Sequence, residues 1–461
     1  MEWIEPYKLS DIPMTFDGAW WISHEDVVLM LNKTGHILLL KKSLFQTIPD
    51  KKVGEDLALK LIQRGFGHMN GDPQENCFCD EFQIQPFYFM IDFTNRCNMA
   101  CLYCLRECDR QKSQEKIIDY DMLTKISSYL ENYCKTYKIS RISVQPWGGE
   151  PLMEKDKIFF LQDELRKRDI DADFTIESNG ILLTRELMEE LNRRKIHISI
   201  SIDGNRSIHD AQRALLNGNP SHELVEKAVK TIYETNRENT AVLATITRKS
   251  ASRVDEILEY FAVKLRIQRV KLNFVHQSSF VDNEKLCLTG EEIGDCSVKI
   301  LHKILELRDR GYEIYDYNIC TKLNNLLLDT KTDVCLCRGC SGGKKMVTID
   351  CNGDIYPCDI SDYPEEKLGN IMDNQDLIEL IKKSTDRKPY FMPKTSQSCQ
   401  KCPWQYYCRG GCTVHVKCAE KAPGEIDEIE CAVNRALYPE LMELIIRNPE
   451  KVNHLTGTEI L

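Results

Sequence analysis

Three cysteines within eight residues, Cys97-Asn98-Met99-Ala100-Cys101-Leu102-Tyr103-Cys104, constrain this chain more than any other feature. They follow an apolar run, Phe87 to Phe93, that reads as a strand. Three thiolates from one tight loop can hold three corners of a 4Fe-4S cubane and leave the fourth iron open to a small molecule. An open iron implies reactivity rather than electron storage. A zinc loop or a set of buried thiols is the alternative reading of the same residues.

Metal is also favoured by the 21 cysteines of the whole chain, which bunch at residues 97–108 and 335–431. The opening MEWIEPYKLSD has no basic segment followed by an apolar one, and no uninterrupted apolar run reaches eighteen residues. Neither an export signal nor a membrane span is expected, and the expected compartment is the cytoplasm. Thiols stay reduced there, so soft-metal ligation is the natural use for so many. A formal net charge of -10 argues against nucleic acid and anionic membranes as partners. With 42% apolar residues among 461, the chain can bury a large core in two or three domains.

Three regions are expected. Residues 1–80 hold Val27 to Leu31 and Ile37 to Leu40, joined through Asn32-Lys33-Thr34-Gly35 as a hairpin, with a short helix from Leu57 to Ile62, making a small α+β domain. Residues 81–310 alternate strand-like runs with helical ones: Phe87 to Phe93, Ile142 to Gln145, Phe174 to Glu177, His197 to Ile202, Val242 to Thr247 and Val270 to Val275. Leu224, Val225, Ala228, Val229 and Ile232 repeat at three and four residues, as one face of a covering helix does. With right-handed crossovers this α/β array closes into a partial (β/α)6, TIM-like barrel. Residues 311–461 lose the regular pattern and carry most remaining cysteines on short turn-rich pieces, a cysteine-rich domain that metal would have to order.

The cysteine loop, with the aromatic Tyr103 before its third thiol, resembles the signature of the radical S-adenosylmethionine superfamily. Gly148-Gly149-Glu150-Pro151, after the second strand, extends the resemblance. It implies that Gly148 and Gly149 bring backbone groups close to the methionyl end of the cofactor, and that Glu150 pairs with its ammonium. An ordinary strand-to-helix turn is the plainer reading. Glu177-Ser178-Asn179-Gly180 ends the third strand, and Ser199 to Gly204, followed by His209, Asp210 and Arg213, ends the fourth. In relatives these ends lie near the nucleoside, so Asn179 and Ser201 are candidate ribose or methionyl contacts, with simple turns as the alternative. The implied chemistry is reductive cleavage of the cofactor to methionine and a 5'-deoxyadenosyl radical, which takes hydrogen from an unactivated carbon.

The later cysteines resemble the seven-cysteine pattern of the SPASM domain. Cys340, Gly353 and Cys358 come first; Cys399, Cys402, Cys408 and Cys412 follow at intervening spacings of two, five and three; Cys431 closes the set. Val347 to Ile349 and Ile355-Tyr356 read as a hairpin delivering Cys358. The resemblance implies a first auxiliary 4Fe-4S cluster on Cys340, Cys358, Cys412 and an upstream cysteine, and a second on Cys399, Cys402, Cys408 and Cys431. Together with the cofactor-binding one, that makes three clusters. Cys335, Cys337 and Cys320 compete for the upstream place. Cys335 is chosen because Cys337 lies only three positions from Cys340. Zinc ribbons are the alternative for the region.

Asp359 matches the position of the proposed base in sulfatase-maturating members, or is a solvated loop carboxylate. The hairpin and helix of residues 1–80 loosely resemble elements that bind the leader of a precursor peptide as an added strand, or form a cap on the barrel. The reading is a maturase that abstracts hydrogen from a ribosomally made peptide and installs a thioether, carbon-carbon or ether cross-link, drawing electrons from a flavodoxin- or ferredoxin-like donor. The first rival is a sulfatase-type maturase oxidising cysteine or serine to formylglycine; the rival from another class is an electron carrier or zinc adaptor. Cys77, Cys79, Cys108, Cys134, Cys287, Cys296, Cys351 and Cys418 are left without a role and read mostly as buried small hydrophobes.

Overall fold

The six apolar runs of the middle region form consecutive strands in parallel: β1 Tyr88–Thr94, β2 Arg141–Gly148, β3 Asp171–Ser178, β4 His197–Ser201, β5 Ala241–Ile246 and β6 Arg269–Phe274. The computed structural model that shows this describes residues 2–4, 8–9, 14–16, 19–32, 35–47, 55–69, 84–105, 115–236, 241–277, 284–328, 334–335, 340–360, 364–387, 399, 402–419 and 425–456. The strands lie side by side in chain order, as helical crossovers between parallel neighbours require. The crossover helices include Tyr120–Tyr137, Lys155–Lys167, Arg185–Arg194 and His222–Thr235. Side-chain caps from Asp119 to Met122 N and from Thr184 to Leu187 N start two of them. On His222–Thr235 the residues Val225, Ala228, Val229 and Ile232 are buried as expected. Leu224, grouped with them by spacing, is 47% exposed, because it lies one position off the inward stripe.

A short strand β7, Tyr315–Asp316, pairs in parallel with β6, so the sheet continues just past the expected boundary at 310. The C-terminal hairpin forms as read, from β8 Met346–Ile349 and β9 Asp354–Tyr356, but it is not a separate element. β8 pairs in parallel with β1, and a two-residue strand β10, Gly369–Asn370, pairs with β9, giving one sheet of ten strands ordered β7-β6-β5-β4-β3-β2-β1-β8-β9-β10. All four β8 residues are buried, as a strand covered on both faces must be.

The expectation of short pieces beyond residue 315 is corrected by Tyr317–Leu327, Glu428–Arg447 and Pro449–Thr456, all helical. Glu428–Arg447 is hard to read because Pro439 lies inside it and its buried residues, Val433, Leu437, Leu441, Met442 and Ile445 among them, are not confined to one narrow stripe. It packs against Gly290–Asp309, where glycines allow close approach: a Cβ on Gly290 would meet Ala432 Cβ at 3.0 Å.

Near the N-terminus, strands Glu2–Ile4, Ala19–His24, Val27–Asn32 and Ile37–Lys41 form an antiparallel sheet in that order, with a helix at Glu55–Gln63. Alternation along Val27–Asn32 sorts its two faces: Val28 and Met30 pack with Ala58, Leu61 and Phe66, whereas Leu29 and Leu31 join the main core. Asn32, 1% exposed, donates from its amide to Arg64 O and Gly65 O at 2.9 Å, tying hairpin to helix. Gly35 at the turn (φ +79°) accepts a 2.6 Å bond from Tyr407 OH on its carbonyl, and a Cβ there would lie 1.9 Å from the Tyr406 ring. No helix among the described residues is long and apolar enough to cross a membrane.

Candidate active site

The three-cysteine loop leaves β1 and is held by backbone on two sides. Its Met99–Cys101 segment pairs antiparallel with Arg213–Leu215, Cys101 opposite Arg213, and Leu102 N donates to Gln212 O at 2.9 Å. The Gly-Gly turn after β2 meets the same loop: Gly149 N donates to Thr94 O at 2.6 Å and Glu150 N to Arg96 O at 2.7 Å. Only glycine allows this approach. A Cβ on Gly148 (φ +127°) would fall 2.1 Å from Thr94 O, and one on Gly149 2.0 Å from Arg96 O. The thiols of Cys97, Cys101 and Cys104 pack in one apolar cluster with Met99, Tyr103 and Val275. Burial pushes the Cys101 thiol up to about 12 and the Arg213 guanidinium draws it back down, so a charged sulfur there requires a compensating cation.

Glu150 is held by its own chain at the strand ends. Its carboxylate, 1% exposed, accepts from Leu152 N at 3.0 Å, Ser178 Oγ at 2.8 Å and Asn179 N at 2.8 Å, stitching the ends of β2 and β3 together. Burial raises its pKa against the pull of those donors. Asn179 reaches onward, its amide donating to Asn98 Oδ1 at 2.7 Å with Cys97 Sγ at 3.8 Å. Ser201 ends β4, half-buried. The hydroxyl of Tyr103 turns into the protein: it donates to Asp203 Oδ2 at 2.7 Å and receives Arg213 Nη1 at 2.6 Å. Asp203 is fully buried and also accepts from Thr245 N and Gln212. Arg213 keeps a buried Nε without a partner. Asp203 and Arg213 were legible only as part of a longer strand-end motif.

Cys335, Cys340, Cys358 and Cys412 come together: Cys358 is driven well above the ordinary thiol range by burial and by Asp359, Cys340, Cys412 and Cys335 around it. Of the competitors, Cys320 is elsewhere, its Sγ 3.1 Å from Leu455 O, and Cys337 lies outside the described residues. Cys402 feels Cys399, and Cys431 feels Cys402 and Cys399, while Cys408 is pushed up to about 12 by burial first, with Glu430 and Cys431 adding. Among the described residues no group of three or more His, Cys, Asp or Glu side chains is placed to hold a metal ion. Cys134 and Cys296 are buried as expected, Cys287, Cys351 and Cys418 half-buried, and Cys77, Cys79 and Cys108 lie outside the described residues.

A cavity of about 480 Å³ opens between the barrel and the first C-terminal cysteine set, lined by residues including Tyr88, Trp147, Glu177, Lys271, Cys335 and Asp359. Two of its lining residues, Trp147 and Glu177, precede Gly148 and Asn179 by one and two positions. Sequence reading missed Lys271 and Trp147. A lone cation within the apolar run Val270 to Val275 and an indole directly before Gly148 were the available signals.

Comparison with known proteins fits this geometry. The radical SAM superfamily profile matches residues 91–261, and that of the SPASM iron-sulfur cluster-binding domain matches 340–403. The cysteine-type anaerobic sulfatase-maturating enzyme of Clostridium perfringens is 25% identical over 337 residues, 68% of this chain and 85% of that one. The structure of anSMEcpe with bound AdoMet superposes with a TM-score of 0.67 at 19% identity, covering 78% of this chain and 100% of that one. Streptococcus suis SuiB bound to precursor peptide SuiA superposes at 0.54 with 15% identity, covering 92% and 99%. The chain is therefore an enzyme of the radical S-adenosylmethionine superfamily, with a SPASM extension, that uses S-adenosylmethionine and iron-sulfur clusters.

Proposed function

We propose that the enzyme is a peptide maturase with three 4Fe-4S clusters that abstracts hydrogen from a ribosomally made peptide and forms a cross-link at the abstracted position. Cys97, Cys101 and Cys104 hold the cofactor-binding cluster. Cys335, Cys340, Cys358 and Cys412 hold the first auxiliary cluster, and Cys399, Cys402, Cys408 and Cys431 the second. The observation that carries the reading is the cavity itself: it is bounded on one side by barrel strand ends beside the three-cysteine loop and on the other by Cys335 and Cys412. A side chain entering it lies between two redox centres. When bound, S-adenosylmethionine would supply a radical able to take hydrogen from an unactivated carbon.

This chain's residues bind and aim. The Gly148-Gly149 backbone, Asn179, Ser201 and the loop around Tyr103 receive the cofactor, and the unpartnered Nε of Arg213 suits its carboxylate. The three thiols, packed in one cluster, fit an iron-sulfur cluster to which the cofactor would bind. The Glu150 carboxylate, engaged by its own chain, acts by fixing Asn179. Strand Ile37–Lys41, an edge of the N-terminal sheet among the described residues, offers that edge to a leader segment. Electrons come from a flavodoxin- or ferredoxin-like donor.

Formylglycine formation is the second reading, favoured by Asp359, a carboxylate on the cavity wall, as the proton acceptor. Support for a peptide substrate comes from the relatives: one is named as a sulfatase-maturating enzyme, and SuiB is bound to a precursor peptide. The test is anaerobic turnover with candidate precursor peptides and sulfatase-derived peptides deuterated at the attacked carbon. Deuterium in 5'-deoxyadenosine together with a new intrapeptide bond in the fragment spectrum supports cross-linking. An aldehyde at cysteine or serine supports the second reading, and deuterium transfer from neither class contradicts both.

A further inference from the structure

The cavity contains two lysines in different states. Lys322 is saturated: its ammonium donates to Glu430 Oε1 at 2.6 Å and Asn434 Oδ1 at 2.7 Å and lies 5.5 Å from the Tyr438 ring. Lys271, on β6, makes no hydrogen bond among the described residues and only a long ion pair with Glu177. Its nearest carboxylate oxygen, Glu177 Oε1, is 3.7 Å away, beyond bonding reach, and the Tyr317 ring is 6.0 Å away. The side chain is 37% exposed, open to the cavity it lines. Glu177 above all, then Tyr317, Cys335 and Asp359, hold its ammonium above the ordinary lysine range, so it stays charged. Other charged groups of the cavity are held by the protein: Asp316 accepts from Leu272 N and Ile319 N, Glu430 takes Lys322, and His415 pairs with Asp427 with its ring tilted against that of His276.

The ammonium of Lys271 has hydrogen-bonding capacity that its long ion pair with Glu177 does not use, and hydrogen bonds to a charged group are among the stronger ones. An occupant bringing a carboxylate recovers more than one bringing a neutral amide of the same shape. Glu177 and Asp359 do not fill that role. The first is held off by distance, and both oppose a second acid unless it lands on the ammonium itself, which makes the requirement positional as well as chemical.

We propose that Lys271 is the specificity-determining residue of the cavity and takes a carboxylate of the peptide, an Asp or Glu side chain beside the residue attacked. This rests on the reading of the cavity as the peptide site. The balance of charge follows: a peptide acid turns the Glu177–Lys271 pair into a three-membered network, whereas its amide leaves the ammonium underused.

The test uses reconstituted full-length enzyme with S-adenosylmethionine, without oxygen, against a mixed library of N-acetylated hexapeptides, half with amidated and half with free C-termini, with retained peptides read by mass spectrometry. Wild type should retain Asp- and Glu-containing amidated peptides about tenfold over their Asn and Gln counterparts. Lys271→Met should abolish that preference, and Lys271→Glu should turn it toward Lys and Arg. Iron content and the circular dichroism of each variant show that it is folded. An unchanged preference in Lys271→Met overturns the proposal. So does a preference confined to free C-termini, which makes the terminus the ligand, or a raised KM for S-adenosylmethionine with peptide choice intact, which assigns Lys271 to the cofactor. Retention of no peptide by any form strikes the peptide reading itself, whereas retention without acid preference strikes only the role of Lys271.

Discussion

The three-cysteine loop of the barrel and the cysteine sets of the C-terminal region bring the same ligand atoms together by different means. In the barrel, the loop is paired to Arg213–Leu215, pinned under Gly148 and Gly149, and tied through Asn179 and the Tyr103–Asp203–Arg213 network. That frame exists in the protein's own hydrogen bonds. In the C-terminal region, Cys408 and Cys412 sit at the boundaries of two helices, Gln405–Cys408 and Thr413–Cys418, of four and six residues, too short to hold themselves in water. Burial holds the Cys358 and Cys412 thiols strongly protonated. The difference teaches that the barrel loop is framed on several sides by the protein's own hydrogen bonds, whereas Cys408 and Cys412 depend on two short helices.

The largest expected effect comes from breaking the preset frame. Gly149→Ala puts a methyl 2.0 Å from Arg96 O, so 5'-deoxyadenosine formation should fall by more than about a hundredfold, as chemistry does when reacting groups are misplaced by an ångström. Iron removal should separate the two regions next. In the apo-protein, hydrogen exchange should stay slow in β1 and β4 and become fast across residues 402–419; slow exchange in both contradicts the contrast.

A smaller effect is expected where the N-terminal sheet rests on the second cysteine set. Gly35→Ala drives a methyl into the Tyr406 ring from a left-handed backbone, which should lower stability by about 1–3 kcal/mol in urea titration and loosen the turn holding Cys402 and Cys408. The smallest concerns Asp316, whose carboxyl burial pushes up to about 6. Its folded form keeps a proton that the unfolded chain releases near pH 4, so stability falls as pH rises toward about 6 and is flat above it. Between pH 5 and 7.5 the wild type should lose about 1 kcal/mol that Asp316→Asn does not.

Much of the barrel was legible because each strand is an apolar run and each crossover helix has one apolar stripe, signals carried by neighbouring residues. Val242 to Thr247, read from composition alone, differs from the observed Ala241–Ile246 by one residue at each end. The cysteine spacings identified the thiols for the same local reason. What escaped depends on partners far along the chain. Residues Met346 to Ile349 look like half of an isolated hairpin until β1 lies beside them. Glu428–Arg447 looks broken at Pro439 until the Gly290–Asp309 helix covers it. The three donors to Glu150, on Leu152, Ser178 and Asn179, are likewise a matter of folded geometry. Lys271 had a local signal, a charge inside an apolar strand, but its meaning comes from the opposing Glu177.

The measurement that bears most directly on the account is anaerobic reconstitution with iron and sulfide, followed by iron counting and an assay for 5'-deoxyadenosine, on wild type and on Cys97→Ala/Cys101→Ala/Cys104→Ala. The account predicts about twelve irons in the wild type, about four fewer in the variant, and no cofactor cleavage by the variant. Zinc in place of iron, or no cleavage by a fully loaded wild type, contradicts it.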